Sequence, residues 1–151
     1  DLKLSFKKLA RIIVEPHGLE MSPSEALKTK PGNDKKVILV VDDENGIRDF
    51  LCTYLKSKSF RVLSAASGEE ALQVWDQEGD AIELLLTDVV MPGINGKDLA
   101  DRLRDQRPDL AVIFMSGYLP EDIAEETLGS KFFKKPFHPA ELLDAIRMAL
   151  H

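Results

Sequence analysis

The sequence predicts an α/β domain: five parallel strands in a doubly wound sheet, with helices covering both faces. Three observations carry this. From Val37 onward, apolar runs of four to seven residues alternate with helical patterns, the rhythm of parallel strands joined by right-handed crossovers. The runs Val37 to Val41 and Leu110 to Met115 are apolar throughout instead of alternating, as central strands covered on both sides must be. Four runs also stop at polar residues: Val37 to Val41 at Asp42-Asp43-Glu44, Leu84 to Thr87 at Asp88, Leu110 to Met115 at Ser116-Gly117, and Phe132-Phe133 at Lys134-Lys135-Pro136. In open α/β sheets, ligands bind outside the carboxyl ends of the strands.

In chain order, Leu2, Phe6, Leu9 and Ile13 fall at helical spacing and Pro16-His17-Gly18 ends the pattern, so residues 1–21 form an extension carrying a short amphipathic helix. Residues 22–36 hold two prolines, a glycine and several charges without apolar periodicity, and read as a linker. The domain proper is 37–151. Strands are expected near 37–41, 60–65, 83–87, 110–115 and 131–134, and helices near 44–57, 68–78, 95–106, 120–128 and 139–150. The segment Ala124 to Ser130 is lean in apolar residues, so the fourth of these helices is expected to be short or mobile. The last helix starts with Pro139 in its first turn and Glu141 near its positive end, and Leu142, Leu143, Ile146 and Leu150 make its buried stripe.

A chain of 151 residues suits one domain plus an appendage and needs no disulfide or metal staple. The single Cys52 excludes an internal disulfide and reads as a helix-packing residue. No stretch approaches the ~20 apolar residues of a membrane span, and no signal-peptide pattern is present. A cytoplasmic setting without membrane contact by this segment is the expectation, although a parent chain could be membrane-associated. The net charge of -6 is uneven: residues 1–36 carry eight basic and five acidic side chains, residues 37–151 twelve and twenty-one. Direct nucleic-acid binding by so acidic a body is not expected. The sequence begins at Asp1 and not at a Met, which points to a fragment of a longer polypeptide or a processed product. Of the three histidines, His17 reads as a loop residue, His138 as the residue before a helix and His151 as terminal; they make no metal cluster.

Asp88 is the residue at the centre of the chemistry. Met91-Pro92-Gly93 and Gly96 follow it, so a turn presents it at the sheet rim. Two ionised acids within about 4 Å repel unless a cation is shared, so Asp42, Asp43 and Asp88 together imply a hard divalent ion. Mg2+ fits best, since it takes one or two carboxylates, keeps waters and completes its shell with phosphate oxygens; the backbone carbonyl of Val90 is a further candidate ligand. Asp88 is then a nucleophile toward phosphorus. The metal neutralises one equatorial oxygen, Lys135 a second, and the Ser116 hydroxyl with nearby backbone N–H groups a third. Gly117 leaves the phosphorus open to a donor. Any one of the acids alone would read better as a helix cap or turn residue.

From 37 to about 150 the sequence resembles a response-regulator receiver domain, on "VVDDE", "LLLTDVVMPGINGKDL", "FMSGY" and "FFKKPF", in the right order and at typical spacings. The resemblance implies a flavodoxin-like (βα)5 fold with strand order 2-1-3-4-5. It makes Lys135, next to Pro136, the functional lysine and Lys134 its exposed neighbour. It also implies a switch in which Ser116 and the aromatic three before the lysine respond to phosphorylation; that aromatic is Phe132 here, where many receivers carry Tyr. Val90 and Tyr118 fall where receivers tune phosphoryl lifetime, and neither is an acid or amide able to orient a hydrolytic water. The N-terminal "DLKLSFKKLARIIVEPHG" is similar to the last helix region of histidine-kinase ATPase domains, with Asp1 and Lys3 where that pattern has glycines. Together with "FMSGY" and "KKPFHPAELL" this places the chain as the carboxyl-terminal receiver of a hybrid sensor histidine kinase, with a stand-alone single-domain regulator as the alternative.

The implied function is a phosphoacceptor module of a two-component phosphorelay, taking a phosphoryl group from a phosphohistidine onto Asp88 with Mg2+. Such a module catalyses its own phosphorylation and dephosphorylation without turning over a metabolite. Its partner is a histidine kinase or a histidine phosphotransfer domain, and a homodimer is left open. The first helix carries Ile47, Phe50, Leu51, Tyr54 and Leu55, a wider apolar face than one side of a sheet needs. Ile47 and Phe50, with Pro136 and Phe137 on the neighbouring loop, are the expected docking surface. Two rivals are a pseudo-receiver that docks without being phosphorylated and a dehalogenase-like phosphatase. The phosphatase wants Asp-x-Asp-x-Thr after its first strand, and "DDENG" does not supply it.

Overall fold

The structure, a computed structural model, describes residues 34–121, 123 and 131–151. The helix expected in the extension, nearly all of the linker and most of the helix expected near 120–128 lie outside them. The chain separates after Lys35, and the unit Lys36–His151 holds every element below.

Five strands, β1 (Val37–Val41), β2 (Arg61–Ala65), β3 (Ile82–Asp88), β4 (Ala111–Ser116) and β5 (Phe132–Lys134), form one sheet in the order β2-β1-β3-β4-β5. Every pairing is parallel. Among the described residues, four α-helices connect or follow them: α1 (Asn45–Ser57), α2 (Gly68–Glu78), α3 (Gly96–Gln106) and α4 (Pro139–Ala149). Side chains alternate across the strands. Val37, Leu39, Val41, Leu85, Val112 and Phe114 therefore meet Ala71 and Trp75 of α2 and Leu99, Ala100 and Leu103 of α3. On the other face Ile38, Val40, Leu84, Leu86, Ile113 and Met115 meet Leu51 and Leu55 of α1 and Leu142, Leu143 and Ile146 of α4. Runs that are apolar on both faces are buried on both faces, and each fully buried Leu or Ile contributes roughly 1.5–3 kcal/mol.

Element ends differ from expectation by a residue for local reasons. Ser59 takes a left-handed conformation (φ 72°) and closes α1, its N–H donating to the Lys56 carbonyl and that of Phe60 to the Leu55 carbonyl. Phe60 is thus spent on the helix end and β2 begins at Arg61. Leu110 donates to Arg107 within a turn, which moves the start of β4 to Ala111. The β1–β3 register shifts between Val37 and Ile38. Glu83 lies opposite that shift, exposed, and pairs with Lys36 at 3.2 Å. Leu150, expected in the buried stripe of the last helix, caps α4 half-buried.

We propose that the linker leaves residues 1–33 outside the folding unit. A chain comprising only Asp34–His151 is then expected to unfold in one cooperative thermal transition. Loss of that transition would place the first helix in the core.

Candidate functional site

The carboxyl ends of β1, β3, β4 and β5 converge on one rim. Asp88 pairs in register with Met115, and Ser116 with Lys134. Main-chain bonds continue the alignment past the strands: Val89 donates to Met115 at 2.9 Å and Lys135 to Ser116 at 2.8 Å. The Lys135–Pro136 peptide bond is cis.

Three acids meet there. Single carboxylate oxygens of Asp42, Asp43 and Asp88 all lie within 4.8 Å of one another. Asp42 is fully buried and Asp88 nearly so, while Asp43 is exposed. At this spacing the two buried charges, when both ionised, repel by roughly 3.5 kcal/mol or more at an effective dielectric of about 20. Lys135 offsets part of this. Its mostly buried ammonium donates to Asp42 Oδ2 at 2.8 Å and stands 3.5 Å from Asp88 Oδ2 and 3.6 Å from Glu44 Oε1. Asp42 is held further: its Oδ1 accepts from the Glu44 N–H at 2.9 Å, and its main-chain carbonyl accepts from Arg48 at 2.7 Å.

Burial pushes the Asp88 carboxyl up to about 6, with the charges of Asp42 and Asp43 adding to the rise and Lys135 opposing it. Burial pulls the Lys135 ammonium down, but the bond to Asp42 and the charges of Asp42, Asp88 and Glu44 outweigh that and hold it above the ordinary lysine value. Lys135 therefore stays charged through the neutral range despite its burial, whereas at Asp88 burial prevails over the lysine's charge.

This has a measurable consequence. Because the folded chain holds the Asp88 proton to higher pH than the ordinary carboxylate value of 3.8, the unfolded chain binds fewer protons between those limits. Stability is then lost as pH rises from about 4 through about 6, and the deficit persists above. Without divalent metal, Asp88→Asn is expected to raise the melting temperature at pH 7.5 and to leave it nearly unchanged at pH 4. An equal gain at both values would contradict the account.

The loop after Asp88 is tightly packed. A Cβ on Gly96 would lie 2.0 Å from the Asp88 carbonyl oxygen, and the Gly96 N–H donates to Val89 at 2.8 Å, so only glycine fits. Gly93 is left-handed at φ 76°. Val90, half-buried, follows in this loop. Nearby, the buried Ser116 hydroxyl donates to the Tyr118 carbonyl, and Tyr118 itself is 66% exposed. Phe132 is half-buried against the α2–α3 face.

Of the four residues expected to form a docking surface, Phe50 stands out, 50% exposed and stacked on Tyr54 at 5.8 Å. Pro136 is exposed. Ile47 and Phe137 are half-buried and pack against the α1–α4 core, so the apolar face of α1 is partly spent on the fold. Cys52 packs on the same core, and burial raises its thiol. Sequence reasoning missed the lysine's preference for Asp42 over Asp88, and the role of Arg48 on the acidic loop.

The profile of the response regulator receiver domain family matches residues 38–147. The chain belongs to that family. The receiver is 34% identical over 116 residues to the sensor kinase CckA of Brucella abortus, covering 75% of this chain and 12% of that protein. It is 33% identical over 109 residues to the response regulator SaeR of Staphylococcus aureus, covering 70% of this chain and 46% of that one. It thus spans less than half the length of either relative. Among solved structures, the response regulator TrrA of Thermotoga maritima in complex with Mg2+-BeF aligns at a TM-score of 0.67 and 30% identity, covering 76% of this chain and 99% of that one. No helix among the described residues is long and apolar enough to cross a membrane.

Proposed function

We propose that this receiver of two-component signalling takes a phosphoryl group from a phosphohistidine onto Asp88, with Mg2+ held by Asp42, Asp43, Asp88 and the Val90 carbonyl. The observation that carries the reading is the meeting of three carboxylates within 4.8 Å and a buried ammonium 3.5 Å from Asp88. An all-oxygen set with two buried acids suits a hard divalent cation, and the aligned TrrA structure is a Mg2+ complex. When bound, the ion neutralises carboxylate and phosphoryl oxygens, which is most of what phosphoryl transfer asks of a site.

The chain's own residues do the rest. An Asp88 carboxylate oxygen attacks phosphorus while the bond to the donor imidazole breaks, and that nitrogen leaves with the electron pair. Lys135 donates to a phosphoryl oxygen, exchanging part of its hold on Asp42. The Ser116 hydroxyl turns from the Tyr118 carbonyl toward another oxygen, and Phe132 moves into the space it vacates. The partner is a histidine kinase or a histidine phosphotransfer domain in the cytoplasm. Similarity to a sensor kinase supports a place within a hybrid kinase, and similarity to SaeR the alternative of a separate regulator.

Transfer from a histidine-phosphorylated kinase is the test. Radiolabel should move from that histidine to the chain, with no sustained hydrolysis of p-nitrophenyl phosphate. Steady turnover of that ester would favour a phosphatase, and failure of both reactions a docking module.

The acyl phosphate should persist, because neither Val90 nor Tyr118 can orient a water as an acid or amide would. Val90→Asn combined with Tyr118→Glu is expected to shorten the half-life about tenfold, less than the roughly 100-fold that a well-placed proton-transfer group contributes, because the new side chains orient the water without a tuned proton-transfer geometry. An unchanged or longer half-life in the doubly substituted chain would count against this.

A further inference from the structure

β3 is apolar on both faces from Leu84 to Leu86 and then carries Thr87, which is fully buried. Valine has nearly the same shape and suits a strand as well, while burying a hydroxyl without a partner is costly. The Thr87 hydroxyl has a partner: it donates to the main-chain carbonyl of Asp88 at 2.9 Å. The same oxygen is the one that Gly96 crowds so closely that a Cβ there would overlap it. Two independent contacts, a buried hydroxyl and the close-packed backbone of Gly96, thus converge on a single atom of the residue at the centre of the site. The next carbonyl along the chain, that of Val89, is fixed by the Gly96 N–H.

We propose that Thr87 is a positioning residue for phosphoryl transfer. By holding the Asp88 carbonyl it sets the plane of the Asp88–Val89 peptide, and through it both the presentation of the Asp88 carboxylate and the direction in which the Val90 carbonyl enters the metal site. It touches neither donor nor metal. This inference rests on the reading of Asp88 as phosphoacceptor.

The test compares Thr87→Val, which keeps the shape and removes the hydroxyl, with Thr87→Ser, which keeps the hydroxyl. Two quantities are read on the full chain: Mg2+ affinity, from the shifts of the Val89 and Val90 amide resonances during titration, and the rate of labelling by acetyl phosphate at saturating Mg2+. Thr87→Val should weaken Mg2+ binding and slow labelling about fivefold each, the factor that losing one neutral hydrogen bond to a buried carbonyl produces. Thr87→Ser should stay near the wild type in both. A Thr87→Val chain indistinguishable from wild type, or a Thr87→Ser chain that loses as much, overturns the proposal. If Thr87→Val does not fold, the serine chain decides alone, wild-type values supporting the proposal and a fivefold loss overturning it. If the wild type takes no label from acetyl phosphate, the phosphoacceptor reading fails, and the amide titration still decides what Thr87 does.

Discussion

Asp88→Asn is expected to abolish covalent labelling by acetyl phosphate or phosphoramidate while leaving the chain folded. Asparagine fits the same nearly buried space but offers a poor nucleophile, and it removes the charge that burial makes unfavourable. The other two acids of the cluster are poorly placed to substitute. Asp42 is fully buried with one oxygen on the Glu44 N–H and the other on Lys135, and Asp43 is exposed to water, away from the lysine's close contacts. Intact-mass measurement under labelling conditions checks it. An adduct of wild-type yield in the variant would move the phosphoacceptor elsewhere.

The second large effect concerns docking. Phe50→Glu is expected to slow transfer from a histidine phosphoprotein at least about tenfold, equivalent to about 1.4 kcal/mol, because an exposed aromatic on the helix that follows the acidic loop is the kind of anchor that carries interface energy. Labelling by acetyl phosphate, which needs no docking, and the melting temperature should barely change. Ile47→Asp is a poorer probe, since Ile47 packs on the α1–α4 core and a charge there would also destabilise the fold. Equal loss with both donors for Phe50→Glu would indicate a defect in the site and not in docking.

Much of this was legible in the sequence because burial on both faces of a parallel sheet leaves an unambiguous trace. Runs such as Val37 to Val41 have no polar alternation, and the residues that end them must lie at one rim. The alternation of strands and helices likewise predicted the parallel sheet, and the resemblance its strand order, both of which the fold bears out. Periodicity does not say which of several acids a long flexible lysine chooses. Asp42, Asp88 and Glu44 all lie within 4 Å of Lys135, and the preference for Asp42 depends on fractions of an ångström. Nor does an amphipathic pattern distinguish an apolar face that packs from one that docks. Ile47 and Phe50 lie three apart on the same helix, yet one is half-buried and the other exposed. The hydroxyl of Ser116 adds a third case, because a freely rotating donor finds its partner, here the Tyr118 carbonyl, only in three dimensions.

The central claim is that Asp88 accepts a phosphoryl group in a metal-dependent step. Its most direct test is to incubate the wild-type chain with acetyl phosphate, with Mg2+ or with excess EDTA, and to map the adduct by peptide mass spectrometry. The account predicts one phosphoryl group per chain, on the peptide containing Asp88, released by hydroxylamine as an acyl phosphate should be, and absent with EDTA. An adduct on another residue, or full labelling with the metal chelated, would contradict it.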